Sequence, residues 1–119
     1  MDLEQTKQNK IGALIGSFEA ELRNGREFSD GVNSLFLQNE NSVSRLQTIS
    51  QLMSVGQISN SAYSVYDSNN KAFIMSESQV NTIIILASKW GLDRFNHLQS
   101  KISNVKACSD ITSVESITY

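Results

Sequence analysis

Apolar residues in this chain recur at helical spacing in three stretches and alternate in two short ones, and the two kinds of stretch take turns. Ile11, Leu14, Ile15, Phe18 and Leu22 stand at i, i+3, i+4, i+7 and i+11. That is a single stripe at helical period, and it predicts a helix from Leu3 to Asn24. Gly25 follows, where a helix commonly ends in a left-handed residue. Upstream of the stripe the positions are polar apart from Leu3, so the opening turns are expected to fray or to await a partner. Arg26–Phe28 and Val32–Leu37 predict a small hairpin around Ser29-Asp30-Gly31, with Asp-Gly supplying the positive dihedrals of a tight turn. A second helix is expected to begin at one of Asn39 to Asn41. It carries Val43, Leu46, Ile49, Leu52 and Met53 as its stripe and stops near Gly56.

The second half repeats the alternation. Ser61–Asp67 predicts a strand, Ser68–Lys71 a turn in which Asn supplies the chemistry, and Ala72–Met75 the return strand. From Ser76 to about Lys106 a long helix is predicted. It is opened by a capping box in which the Ser76 hydroxyl accepts from the N3 amide while Gln79 reaches back. Its stripe is Val80, Ile83, Ile84, Ala87, Trp90, Leu98, Ile102 and Val105. Gly91 interrupts it at roughly 1 kcal/mol against Ala, and an unbroken helix would be about 45 Å long. Thr112 with Glu115 predicts a last capped turn whose Val114 and Ile117 fold back onto the long helix. Tyr63, Val65, Phe73 and Met75 are expected to pack on the Ile83, Ile84, Ala87 and Trp90 side of that helix, because strand and helix each leave one apolar face to cover. The fold class is therefore α+β: N-terminal helix, hairpin, helix, second hairpin, long helix, short terminal helix. It divides into an N-terminal amphipathic helix (1–25) and a small α+β domain (26–119).

Composition narrows the function classes. At 119 residues the chain is large enough for a modest core. Its formal net charge is −2 and its ten Lys and Arg are scattered, so the electrostatic footprint of a nucleic-acid binder is missing. Proline is absent, and the one cysteine, Cys108, excludes an intrachain disulfide and a multi-cysteine zinc site. Cys108 reads as a small apolar residue near a helix end, in a chain made in a reducing cytoplasm. The N-terminus has neither a basic nor an apolar leader segment. The longest apolar run, Ile83–Ala87, falls far short of the ~20 residues that span a bilayer.

Candidate chemistry is thin. Asp93 and His97 lie four apart on the long helix, where a carboxylate can orient an imidazole. One His and one acid make at most two ligands, so the pair reads as a surface helix pair and no metal is expected. Alanine at either position is expected to stay within ordinary surface effects of about 0.5 kcal/mol. No Ser sits in a Gly-x-Ser-x-Gly elbow, and Glu19 and Glu21 face different directions on the first helix. Trp90, Phe95, Tyr63, Tyr66 and Phe73 lack the basic groove that accompanies base stacking and read as core packing. Tyr119 carries no interpretable signal on its own. No catalytic residue, cofactor or metal is assigned.

Several short signatures occur together in a fixed order. They are Glu21-Leu22-Arg23 with Gly25, Asp30-Gly31-Val32, Ser42 to Arg45-Leu46, and Tyr66-Asp67. Phe73-Ile74-Met75-Ser76, Phe95, Leu98 with Lys101-Ile102, and Thr112-Ser113-Val114-Glu115-Ser116-Ile117 follow. In this order, from about Ile11 to Ile117, the chain resembles a domain of unknown function found near the C-terminus of many tailed-phage tail-fibre and tail-assembly proteins. Members often carry Trp where this chain has Tyr66, and commonly follow a separate N-terminal domain, so the module is expected to stand alone. The resemblance implies a non-enzymatic structural protein of a tailed-phage virion, tail-associated as a fibre-linked, adaptor or baseplate component. Alternatives are a tail-fibre assembly chaperone absent from the mature particle, or a capsid decoration protein. It implies synthesis in the host cytoplasm, location in the virion, other virion proteins as partners, a homo-oligomer, and no nucleic-acid or membrane partner. With no upstream domain, the stripe Ile11, Leu14, Ile15, Phe18 and Leu22 is the expected partner interface.

Overall fold

The fold is described from a computed structural model, for residues 2–38 and 40–119. The elements are α1 (Leu3–Asn24), β1 (Arg26–Ser29), β2 (Ser34–Leu37), α2 (Glu40–Ser54), β3 (Tyr63–Tyr66), β4 (Ala72–Met75), α3 (Glu77–Ala107) and α4 (Ile111–Glu115). This is the expected α+β order, and each strand pair is an antiparallel two-stranded hairpin. The chain packs as two compact units, Met1–Glu21 with Gly91–Tyr119, and Leu22–Trp90. The boundaries fall inside α1 and α3, and so elsewhere than the expected division between 1–25 and 26–119.

In the unit Leu22–Trp90, α1 ends at Gly25, whose φ of +78° is the left-handed cap expected there. Leucine and phenylalanine then set the first hairpin. Phe28 pairs with Leu35 and Arg26 with Leu37 on its inward face, and Phe28, Leu35 and Leu37 are buried. The loop is longer than the predicted tight turn. Val32 and Asn33 lie outside the strands, because the Asp30 carboxylate accepts from both of their amides, at 2.8 and 2.7 Å. That competition withdraws them from the ladder, and Gly31 alone takes a positive φ. Helix α2 opens at Glu40. Of the proposed start positions, Asn39 lies outside the described residues and Asn41 lies inside the helix. It closes with Gln57 N donating to Leu52 O and Gly56 N to Met53 O, the paired bonds of a Schellman end.

The second hairpin is shorter at its start than predicted, since Ser61 and Ala62 precede the strand. Asn70 holds φ +61° in the turn, the left-handed position that Asn tolerates. Val65 and Met75 are fully buried with Val80, Ile83 and Ala87, and Phe73, Ile84 and Trp90 pack at their margin. Tyr63 departs from the expected face-to-face packing. It begins its strand and stays exposed. The capping box is present in both directions, Ser76 N to Gln79 Oε1 at 2.9 Å and Gln79 N to Ser76 Oγ at 3.3 Å.

In the other unit, the opening of α1 is capped and packed rather than frayed. Gln5 N donates to Asp2 Oδ1 at 2.7 Å, Thr6 is buried, and Leu3 joins the apolar cluster of Leu14, Leu98, Val105 and Val114. Helix α3 continues through Gly91 without a break. The last short helix is capped by Asp110 and not by Thr112: Asp110 Oδ1 accepts from Ser113 N at 2.7 Å. Asp110 presents its carboxylate three residues ahead of that amide, as Thr112 does not. Val114 is fully buried and Ile117 packs beside it, as expected.

Candidate functional site

Two polar clusters dominate the described residues, and each begins with a carboxylate. In the unit Leu22–Trp90 it is Asp67, buried at 6% exposure. It sits just past β3, where the chain must turn before β4. Its Oδ1 accepts from Asn69 N at 2.9 Å and Lys71 N at 3.0 Å, closing the turn, and its Oδ2 accepts from Phe36 N at 3.1 Å. Ser68 N donates to Phe36 O at 2.8 Å, and Gln38 N to Ser68 Oγ at 3.0 Å. The turn of one hairpin thereby pairs with the outer edge of β2 and hides an edge that would otherwise invite another strand.

In the unit formed by Met1–Glu21 and Gly91–Tyr119, the carboxylate is Glu21. Its Oε1 accepts from Arg94 Nε and from the Tyr119 hydroxyl, both at 2.6 Å. The Arg94 guanidinium also lies over the Tyr119 ring at 5.2 Å. His97 meets the same residue, Nε2 against the Tyr119 backbone oxygen and the two rings edge to face at 5.0 Å. Burial works against the ionised Glu21, but the Tyr119 hydroxyl, the Arg94 guanidinium and the charge of His97 outweigh it and hold the carboxyl below its ordinary value. Burial and the bond to Glu21 push the Tyr119 hydroxyl up, against the pull of Arg94. Lys10 Nζ secures the same segment by donating to Glu115 O and Ile117 O, a cation at the carbonyl end of a helix.

The cluster gathers an acid, a base and a hydroxyl, yet each group is engaged with another member. Among the described residues, no three His, Cys, Asp or Glu side chains are placed to hold a metal ion. Nor, among the described residues, is any helix long and apolar enough to cross a membrane. His97 is half-buried against Tyr119, and Asp93, one turn earlier on the same helix, is exposed. Of the expected interface stripe, Leu14 is buried at 3%, and Ile11 and Phe18 are half-buried against the same cluster. Ile15 is exposed, and Leu22 falls in the other unit and is half-buried. The stripe is largely a core face of its own unit, leaving Ile15 and the margins of Ile11 and Phe18 outward. Phe18 also meets Phe95 edge to face at 6.2 Å.

Comparison with protein-family models, curated proteins and solved structures returned no match.

The sequence reading missed Glu21, Arg94, Tyr119 and Asp67 as organising residues. A faint signal existed for Asp67. Aspartate ahead of Ser-Asn-Asn commonly bonds the backbone of its own turn.

Proposed function

We propose that this chain is a non-enzymatic structural protein of a tailed-phage virion, tail-associated as a fibre-linked, adaptor or baseplate component. The observation that carries the reading is the order helix, hairpin, helix, hairpin, long helix, short helix, the order on which the resemblance to tail-fibre and tail-assembly domains rests. The use of the polar side chains agrees with it. Asp67, Ser68, Glu21, Arg94 and Tyr119 hold backbone and chain ends in place, as a module needs when its task is to keep a shape. Large apolar side chains remain exposed in each unit, Phe95 and Leu92 in one, Ile74, Tyr66 and Ile85 in the other. They offer area for neighbouring virion proteins or further copies of the chain.

Mass spectrometry of purified particles tests the proposal. The expected result is the chain at stoichiometric level in the particle and co-purifying with tail components. Presence in infected lysate but not in particles would replace this role with that of a tail-fibre assembly chaperone. Recovery with emptied heads would replace it with capsid decoration.

A further inference from the structure

We propose that Glu21, Arg94, His97 and Tyr119 form an acid-released latch that holds the segment 116–119 over the apolar cluster of its unit. The segment leaves α4 after Glu115 and contributes Ile117 and Tyr119 to the margin of Leu14, Leu98, Val105 and Val114. Its first half is tied to α4 and α1. Ser116 N donates to Thr112 O at 3.1 Å and Ile117 N to Val114 O at 3.2 Å. The Ser116 hydroxyl donates to Ser113 O at 2.7 Å, and Lys10 Nζ donates to Ile117 O at 3.0 Å. Tyr119 makes the rest: its hydroxyl reaches Glu21 of α1, its ring lies under Arg94 of α3, and its ring and backbone oxygen meet His97 of α3. Three residues from two helices, Glu21 of α1 and Arg94 and His97 of α3, converge on Tyr119.

The charge states make the latch directional. Ionised Glu21 accepts from Arg94 and Tyr119 on one oxygen, two bonds strengthened by its charge. A proton on Glu21 removes the ion pair with Arg94 and weakens the acceptor that Tyr119 uses. A proton on His97 has no such effect, since imidazolium keeps a hydrogen on Nε2 for the Tyr119 oxygen. Glu21 is therefore the releasing group. Its folded-state value lies below the ordinary 4.5, so the latch is closed above that value and opens as pH falls through the lowered one. Once open, the segment bares the side of the cluster that Ile117 and Tyr119 cover. The latch operates whether or not the chain belongs to a virion.

NMR of the full chain tests this through the Tyr119 and His97 ring resonances, with the Leu98 and Val105 methyls reporting the surrounding fold. In the wild type, the Tyr119 ring is expected to move to unfolded-like shifts as pH falls below 4.5, while the methyls keep native shifts. Glu21→Gln, neutral at every pH, is expected to release the ring at pH 7 and to abolish the transition. Loss of one charge-assisted bond raises the open population by about tenfold or more. Tyr119→Phe keeps the ring against Arg94 and His97 but drops the donor to Glu21, and is expected to move the midpoint upward. It decides the matter should Glu21→Gln lose the native methyl shifts. The latch is overturned if Glu21→Gln keeps native ring shifts at pH 7 and the acid transition persists. It is equally overturned if ring and methyls move in one transition, or if Tyr119→Phe leaves the midpoint unchanged.

Discussion

At the scale of single residues, carboxylates that accept from backbone amides hold turns and helix starts of this protein in place. Asp67 is the clearest case, because one buried side chain answers three amides, two in its own turn and one on β2. Alanine there leaves three part-buried amides without their acceptor and is expected to cost roughly 1–3 kcal/mol in urea unfolding. Asparagine is expected to fall between, since its one oxygen can serve Asn69 and Lys71 while its amide nitrogen then faces the Phe36 donor. Equal stability of both variants and the wild type would show that the turn is held by its other bonds. The same residue marks where sequence reading stops. Asp67 and Phe36 are 31 positions apart, and Tyr119 and Glu21 are 98 apart, so no local spacing rule connects them. A terminal tyrosine has meaning only when the helices that meet it are in place.

At the scale of elements, the glycines separate two physical roles. A Cβ at Gly25 would meet the Phe36 ring at 2.7 Å and Leu37 O at 2.9 Å, on a residue already at φ +78°. Gly25→Ala is therefore expected to be destabilising by more than 1 kcal/mol, since strain and overlap add. Gly91 lies inside α3 with nothing within 4 Å of an added Cβ. Gly91→Ala should stabilise by about 0.5–1 kcal/mol, and thermal melts of the pair should move in opposite directions. A shared direction would show that backbone strain at Gly25 and helix propensity at Gly91 do not govern the two substitutions. What was legible follows the same division. The bounds of α1, the strand Ala72–Met75 and the Ser76–Gln79 box depend on period and on caps within four residues, and these could be read directly. The loop at Val32 and the cap at Asp110 depend on which of two nearby side chains wins a backbone amide. Propensity admits both Thr112 and Asp110 as helix starters and favours Asp, and the backbone path puts the Asp110 carboxylate on the Ser113 amide. The stripe on α1 was legible as apolar but not as to what it covers, because periodicity identifies a face and never its occupant.

At the scale of the whole molecule, the fully buried side chains carry the folding energy. In the unit Leu22–Trp90 these include Leu35, Leu46, Met53 and Met75. Leu46→Ala or Met75→Ala should cost about 2–5 kcal/mol, a large share of the 5–15 kcal/mol typical of a domain. Phe73 and Trp90 are only half-buried, so their alanine variants are expected to cost less than full burial of an aromatic would imply. Acid adds a second, global vulnerability. Burial works against ionised Asp30, but the amides of Asn33 and Val32 outweigh it and lower its titration below 3.8. The backbone and side chain of Ser113 lower Asp110 from the same value, and Glu21 is lowered from 4.5. Each folded-state value lies below the unfolded one, so each contribution is complete above the ordinary carboxylate range and disappears as pH falls through the lowered value. Net charge moves the same way. The chain is at −2 near neutrality, and protonating its twelve acids leaves ten Lys and Arg and one His uncompensated, which favours the expanded state by self-repulsion. Urea midpoints are thus expected to be level from pH 7 to about pH 5 and to fall steadily below the ordinary carboxylate values. Asp30→Asn should flatten part of that decline while lowering stability at pH 7, because the amide keeps one acceptor but not the charge. A midpoint that rises on acidification, or a decline unchanged in Asp30→Asn, would mean that these carboxylates are no better held in the folded chain than in the unfolded one.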